Sequence, residues 1–544
     1  MLRLSRTLRW ASNLLENGIF AVMRLRLSSK LLRPKPRLNT TSASVSRRLT
    51  AKRAASRQTK SRDSLCKSSS EASLLTSAVR SPQLPYCLTV DADLIITTVT
   101  RRIIVALLRF ALRVYFRRVE VVGVEHVPLE KPVIFVLNHP NALVDPAFLL
   151  ALAPRKVSFL AKAPLFRMPV LGFLVRALDS LPVYRRQDEG SDPARNQETF
   201  QAARRLLAKG GTIAICPEGV SHDEPRLRPI KSGTARIALA TVSSGQVTNL
   251  KIVPAGLYYT SKTTFRSAAL LYFGQPIDVQ PVYLDAHGNP PRDAVRKLSD
   301  QIEKALRDVI VEAEHEEALH TIRRAERIFS SRPEDEADSL VDELRLQQLF
   351  VRAYAILEQR APERLRKLEV RINRFEQELN QAGVDPEELT PPRSTLHVFG
   401  NLLTRSLLFV IGLPVAILGT IVHYPAYFLG GYLARTFSRE SEDVISTTKI
   451  ISAMLLFPLT WLLAAIVGYR LGGWPFTLVP LVLLPLAGYA AVWFFEELDK
   501  FLGGLRALAF FLVRRRFFVR LLAERNAIRG EIIALGNEAA AGVE

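Results

Sequence analysis

The sequence predicts an α/β fold: a mostly buried central sheet flanked by helices, followed by a helical arm and two or three C-terminal transmembrane segments. Three observations carry that prediction. Short runs rich in Val and Ile alternate with helical patterns between residues 119 and 279, as expected of strands buried on both faces. Residues 291–382 turn to Glu, Arg and Leu, with acids and bases spaced for pairs on one helix face. Between Arg405 and Arg435 lie twenty-nine residues without Lys, Arg, Asp or Glu, and about twenty apolar residues are enough for a helix to span a bilayer.

Composition narrows the function classes. A chain of 544 residues has room for several structural units, and 48% hydrophobic residues excludes wholesale disorder or a collagen-like chain. Lys and Arg number 74 against 52 Asp and Glu, a formal charge of +22, so the favoured neighbours are polyanions: nucleic acid, anionic lipid or a phosphorylated substrate. The three cysteines, Cys66, Cys87 and Cys216, have neither metal-ligand spacing nor an even framework, which argues against a disulfide scaffold or a zinc module.

Taken in order, residues 1–90 form a basic, Ser-rich extension. Sixteen Lys or Arg stand against Glu16 alone between Met1 and Arg62, a composition shared by transit peptides and by solvated disordered tails. Residues 94–118 predict an amphipathic helix on a membrane surface, because Arg102, Arg109 and Arg113 recur at offsets of seven and eleven and so share a narrow arc. A core-facing helix fits the same pattern. The domain over 119–285 has expected strands at Val119–Val124, Val133–Leu137, Lys156–Ala161, Thr212–Cys216, Lys251–Leu257 and Ala268–Gly274, and a further short strand opens Leu181–Arg186. Helices are expected at Pro146–Leu152, Pro193–Lys209 and Gly233–Ser243. The arm occupies 291–385, and the Pro-containing stretch Leu389–Ser394 bounds it. The transmembrane region, 396–500, has three apolar runs. The first carries Pro414 and Pro425, and the third is broken by Pro475, Pro480 and Pro485, as in a re-entrant segment. Residues 503–544, with Arg514, Arg515 and Arg516, read as a basic amphipathic helix suited to anionic lipid.

Two loops carry candidate chemistry. Asn138-His-Pro-Asn-Ala-Leu-Val-Asp145 follows the second strand and ends at Pro146. A histidine at a strand end with a carboxylate nearby supplies a general base and the group that fixes its tautomer. Pro146 disfavours helical dihedrals at Asp145, which is therefore expected just before the helix. The plainer alternative is an N-capping Asp145 beside an ordinary loop His139. The second loop, Cys216-Pro-Glu-Gly-Val-Ser-His-Asp223, presents Glu218 and Gly219 in a tight turn. Arg226, Arg228 and Lys231 then lead into a helix start at Ser232-Gly-Thr, and Leu181-Pro-Val-Tyr-Arg-Arg186 adds two guanidiniums. Cations beside a helix N-terminus suit a phosphate.

These blocks, with Ile252-Val-Pro-Ala-Gly256, resemble the four ordered motifs of the glycerolipid acyltransferase superfamily, the plsC-type acyltransferases, over about Val119 to Val279. His222-Asp223 and Pro229-Ile-Lys-Ser-Gly-Thr-Ala-Arg236 are more similar to the yeast-type glycerol-3-phosphate/dihydroxyacetone-phosphate acyltransferases, whose membrane segments also follow the catalytic domain. Three departures stand out. Five residues rather than four separate His139 from Asp145, Cys216 replaces the usual Phe, and Val220-Ser221 replaces Thr-Arg. On a regular helix a six-residue step puts two side chains about 120° apart, so the pair must use the loop.

The resemblance implies an acyltransferase that esterifies glycerol 3-phosphate, or dihydroxyacetone phosphate, from acyl-CoA or acyl-ACP and yields lysophosphatidic acid. His139 would be the base and Asp145 its partner, while Arg185, Glu218, Gly219 and Lys231 would form the acceptor pocket. Cofactor and metal are both expected to be none, and Cys216 is read as a packing residue. Expected partners are a phosphorylated acceptor, an acyl thioester and anionic membrane lipids. No nucleic acid is expected: a nucleic-acid binder is the third option from the charge alone, and the lack of a basic patch interleaved with aromatics in the folded part argues against it. The expected location is integral membrane, in the bacterial inner membrane or the eukaryotic ER or mitochondrial membrane. The alternatives are acylation of lysophosphatidic acid to phosphatidic acid and, from another class, a non-catalytic membrane scaffold.

Overall fold

The computed structural model describes residues 92–185, 187–188, 192–330, 339–384, 386, 389, 395–437 and 442–541. The basic extension with Cys66 and Cys87, and Arg186, lie outside the described residues. One sheet contains β1 (Arg118–Val122), β2 (Val133–Leu137), β3 (Ser158–Lys162), β4 (Leu181–Val183), β5 (Thr212–Ile215), β6 (Lys251–Tyr259), β7 (Ala268–Phe273) and β8 (Ile277–Asp278). The order is β1-β7-β6-β2-β5-β3-β4, with β8 paired to β6. From β6 to β4 neighbouring strands are parallel. β7 returns antiparallel to β6, and β1 is parallel to β7. Expected strand ends are met within two residues, whereas the antiparallel edge and β8 were not anticipated.

Every residue of β2 is buried, and its side chains alternate between two cores. Val133, Phe135 and Leu137 point to a core shared with Phe116, Phe148 and Tyr259. Ile134 and Val136 meet Ile213, Ile252, Ile237 and Ile302 on the opposite face. The first core is covered by α1 (Ala92–Tyr115) and α2 (Val144–Leu152). The second is covered by α4 (Asn196–Ala208), α5 (Gly233–Ser243) and α6 (Arg292–Arg307), while α3 (Pro169–Ala177) lies between β3 and β4 in sequence. This is why the central strands read as continuous apolar runs. Placing α6 in the helical arm is corrected by its packing: Val295, Leu298, Ile302 and Leu306 are buried in the second core.

Helix α1 has three faces rather than two. Ile104, Leu112 and Tyr115 are buried. Arg101 donates to the Val157 carbonyl at 2.6 Å, and Arg109, the one member of the expected cationic arc so engaged among the described residues, donates to that of Ala151 at 2.5 Å. Val99, Ile103, Leu107 and Phe110 form a separate, exposed apolar stripe.

The arm contains α7 (Glu316–Phe329), α8 (Leu340–Arg360) and α9 (Pro362–Ala382), and α13 (Arg515–Ala541) joins them. Here the structure corrects the reading of the C-terminal helix as a lipid-facing tail. Phe518, Leu521, Ile528 and Leu535 are buried against Leu368, Ile372 and Phe375. Arg371 pairs with Glu524 at 2.6 Å and with Glu531 at 2.9 Å.

Three helices are long and apolar enough to cross a membrane: Thr404–Phe437 within α10 (Thr395–Phe437), Asp443–Gly472 within α11 (Glu442–Gly472), and α12 (Trp474–Val513). The charged helices α9 and α13 are bundled together and so lie on one side of a bilayer. The chain between them must then cross an even number of times. Side chains of α10 pack against both of the other apolar helices. Phe409 packs edge-to-face on Phe494 and tilted against Phe501 of α12, close to Glu496, which Arg266 of the sheet domain grips at 2.5 Å. In the middle, Gly419 abuts Ala487 and Gly488 abuts His423. Toward its end Gly430 meets Ser452 near the start of α11, where Lys449 bonds the Thr263 carbonyl of the sheet domain. The start of α11 and Glu496 of α12 therefore both face the sheet domain, and Pro414 and Pro425 stand inside α10. The sequence suggested the third run as re-entrant, but the structure forms it as one continuous helix, α12, with Pro480 and Pro485 inside it. Cysteines introduced at Glu363 and Thr436 should be labelled by an impermeant maleimide from one side of a sealed vesicle, and a cysteine at Leu471 from the other. Labelling of positions 436 and 363 from opposite sides would contradict this topology.

Candidate active site

Because β2, β4, β5 and β6 are parallel, their carboxyl ends share one edge of the sheet, where loops in α/β domains place ligands. His139 follows β2, Arg185 follows β4, the 216–223 turn follows β5, and Tyr259 ends β6. Asn138 locks the first loop to β6: its amide donates to the Leu257 carbonyl at 3.0 Å and accepts the Leu257 N–H at 2.8 Å.

Asp145 is fully buried and holds the loop together. One carboxylate oxygen lies 2.9 Å from His139 Nδ1 and accepts the Asn141 N–H at 2.7 Å. The other accepts the Tyr259 hydroxyl at 2.7 Å. Three donors thus satisfy a charge that burial would otherwise make costly. With Nδ1 bound to Asp145, Nε2 is the ring nitrogen left to accept a proton. The longer loop closes through Ala142, held at φ 37°, and Val144 N–H bonds the Asn141 carbonyl at 2.9 Å. Asp145 stands inside the helix as its second residue, not before it as Pro146 suggested. Proline is tolerated there because first-turn N–H groups have no intrahelical acceptor in any case.

Glu218 is also buried. It accepts the His139 N–H and the Arg228 N–H, each at 3.0 Å, and contacts His222 Nε2. The His222 N–H in turn bonds the His139 carbonyl at 3.2 Å. Its partners are protein groups, so Glu218 holds the histidine's backbone from beneath, where the sequence suggested a group lining the acceptor pocket. Gly219 adopts φ 77°, and a β-carbon there would fall 2.3 Å from Lys231 Nζ. The glycine therefore serves both the turn and the passage of the lysine.

The cations differ in availability. Arg185 binds both oxygens of Asp188 at 2.7 and 2.9 Å and donates to the Gly219 carbonyl at 2.8 Å. This hydrogen bonding holds the Asp188 carboxyl below its usual range. Arg228 pairs with Glu224 at 2.7 Å, and Arg226 is exposed. Lys231 is exposed beside Gly219, just ahead of the start of α5 at Gly233. Burial, with the Asp145 and Glu218 carboxylates nearby, pushes the Cys216 thiol well above its ordinary value. The sulfur stays protonated and is a poor nucleophile.

Sequence reasoning missed Tyr259 and Asp188. Tyr259 stands at the end of the strand beside β2, and burial and Asp145 keep its hydroxyl protonated by raising it well above its usual range. The strand register held that signal. Asp188 lies three residues from Arg185, a spacing that only the turn makes productive.

A family profile described as "Acyltransferase" matches residues 118–258. The chain carries a PlsC-type acyltransferase domain. A second profile, "Glycerol-3-phosphate acyltransferase 2 C-terminal domain", matches residues 321–541 and so takes in the arm, the membrane helices and α13 as one unit. Among curated proteins, the chain is 28% identical over 280 residues to glycerol-3-phosphate O-acyltransferase 2 of Saccharomyces cerevisiae, covering 49% of this chain and 37% of that one. It is 25% identical over 447 residues to glycerol-3-phosphate O-acyltransferase 1 of the same yeast, covering 64% and 58%. An uncharacterized acyltransferase of Schizosaccharomyces pombe is 25% identical over 535 residues, 78% of each chain. The alignments thus reach less than two thirds of either Saccharomyces relative's length.

Removing the Tyr259 hydroxyl tests the buried carboxylate. Tyr259→Phe should leave the protein folded, with about 1 kcal/mol less stability in a denaturant titration, and lower acyl-transfer turnover about tenfold. Gly219→Ala should raise the KM for a phosphorylated acceptor by displacing Lys231, with little effect on the KM for the thioester.

Proposed function

We propose that the protein moves a fatty acyl group from acyl-CoA or acyl-ACP to the first hydroxyl of glycerol 3-phosphate or dihydroxyacetone phosphate, the former giving lysophosphatidic acid. The observation that carries this reading is His139 paired at 2.9 Å with the buried Asp145, set at the strand edge next to the Gly219–Lys231 turn. The glycerol-3-phosphate acyltransferase C-terminal profile and the two Saccharomyces relatives favour this acceptor.

In this mechanism His139 Nε2 removes the proton of the acceptor hydroxyl as its oxygen attacks the thioester carbonyl. The imidazolium so formed is steadied by the Asp145 carboxylate, which Tyr259 and the Asn141 N–H hold in place. Collapse of the tetrahedral adduct breaks the C–S bond, and the same proton passes to the departing sulfur. The products are an ester and a thiol, and no covalent enzyme intermediate is needed. Lys231 and the N–H groups at the start of α5 would take the acceptor phosphate. Arg185, tied to Asp188 and Gly219, would set the turn and offer its remaining N–H groups.

The apolar helices keep this chemistry at a membrane. Arg102 and Arg113, beside the outward stripe of Val99, Ile103, Leu107 and Phe110, favour a surface containing anionic lipid.

Purified protein in lipid nanodiscs, given radiolabelled acyl-CoA, should acylate glycerol 3-phosphate or dihydroxyacetone phosphate in preference to lysophosphatidic acid. His139→Ala should lower the rate by about 10²- to 10⁴-fold. Preference for lysophosphatidic acid would assign the second acylation step, and inactivity with all three acceptors would overturn the enzyme reading.

A further inference from the structure

Helix α11 begins with polar residues that are not directed at solvent or lipid. Asp443, Ser446 and Thr447 are all buried, on one face of its first two turns. Thr447 Oγ1 accepts the N–H of Leu143, in the loop between His139 and Asp145, at 3.2 Å. That N–H immediately precedes α2 and has no acceptor within the helix. Asp443 accepts the hydroxyl of Ser221, the neighbour of His222, whose own N–H holds the His139 carbonyl. Ser446 bonds the Lys262 carbonyl, which also receives the Asn141 side-chain amide at 3.4 Å. One membrane helix thus grips both walls of the site: the loop carrying the imidazole–carboxylate pair and the turn carrying Glu218 and Gly219.

We propose that Thr447 and Asp443 are positioning residues for acyl transfer, through which the membrane domain completes the geometry of the catalytic loops. The proposal rests on the acyltransferase reading above. Leu143 lies two residues from Asp145, so losing its tie lets the loop relax. A displacement near 1 Å at a reacting group is worth about 100-fold in rate. Neither residue needs to touch substrate for this effect.

The test uses full-length protein in nanodiscs with acyl-CoA and glycerol 3-phosphate. Thr447→Val keeps the shape and removes the acceptor. Its kcat should fall roughly 10- to 100-fold with the KM for acyl-CoA unchanged, and Thr447→Ser should restore the rate. Independently of whether the valine variant folds, Ser221→Ala and Asp443→Ala form a double-mutant cycle. If they act through one bond, the double variant should be no slower than the slower single variant. Wild-type kcat in Thr447→Val, failure of Thr447→Ser to restore the rate, or additive losses in the cycle would overturn the proposal. Wild-type protein inactive on every acceptor would instead remove the acyltransferase reading on which it rests.

Discussion

The site depends on one buried carboxylate. Asp145 lies out of water in the first turn of α2, with His139, the Asn141 N–H and the Tyr259 hydroxyl directed at it. An unpaired charge there would cost several kcal/mol, so the three donors and the carboxylate hold each other in place. The donors come from two parts of the fold: His139 and the Asn141 N–H from the loop after β2, and the Tyr259 hydroxyl from the end of β6. Satisfying Asp145 is therefore equivalent to closing the loop onto the sheet and directing Nε2 outward.

The same reasoning extends to the second wall. Glu218 is a carboxylate beneath the histidine's backbone, and Arg185 is fixed by Asp188 and Gly219 before any substrate arrives. Two charges that sequence reasoning directed at the acceptor are thus largely occupied in shaping the pocket. Lys231 is the cation left beside the turn with no carboxylate partner among the described residues. Preorganisation of this kind lowers the reorganisation required when charge develops during the reaction.

Much of this was legible in the residues themselves. The alternation of β2 between two cores follows from an unbroken Val-Ile-Phe-Val-Leu run, and the His139–Asp145 pairing from a polar loop at its end. Other features were not legible, for physical reasons. The dihedrals of Ala142 and the tolerance of Pro146 inside α2 are set by loop closure, not by local preference. The arginines of α1 and α13 look alike in sequence, but bonds to backbone carbonyls in one and to acids of the arm in the other become visible only once the partners are placed. The number of membrane crossings depended on which helices bundle outside the bilayer, information that hydropathy does not contain. Polar residues opening an apolar helix, such as Asp443 and Thr447, were a signal available in the sequence and left unread.

The most direct measurement of the central claim is the turnover of Asp145→Asn in a bilayer, with folding checked by its unfolding transition. The substitution keeps the size of the side chain and its acceptor for Tyr259 but removes the charge that fixes the His139 tautomer. The account predicts a folded protein whose kcat falls by about 10³- to 10⁴-fold. A folded variant turning over within about threefold of the wild-type rate would contradict it.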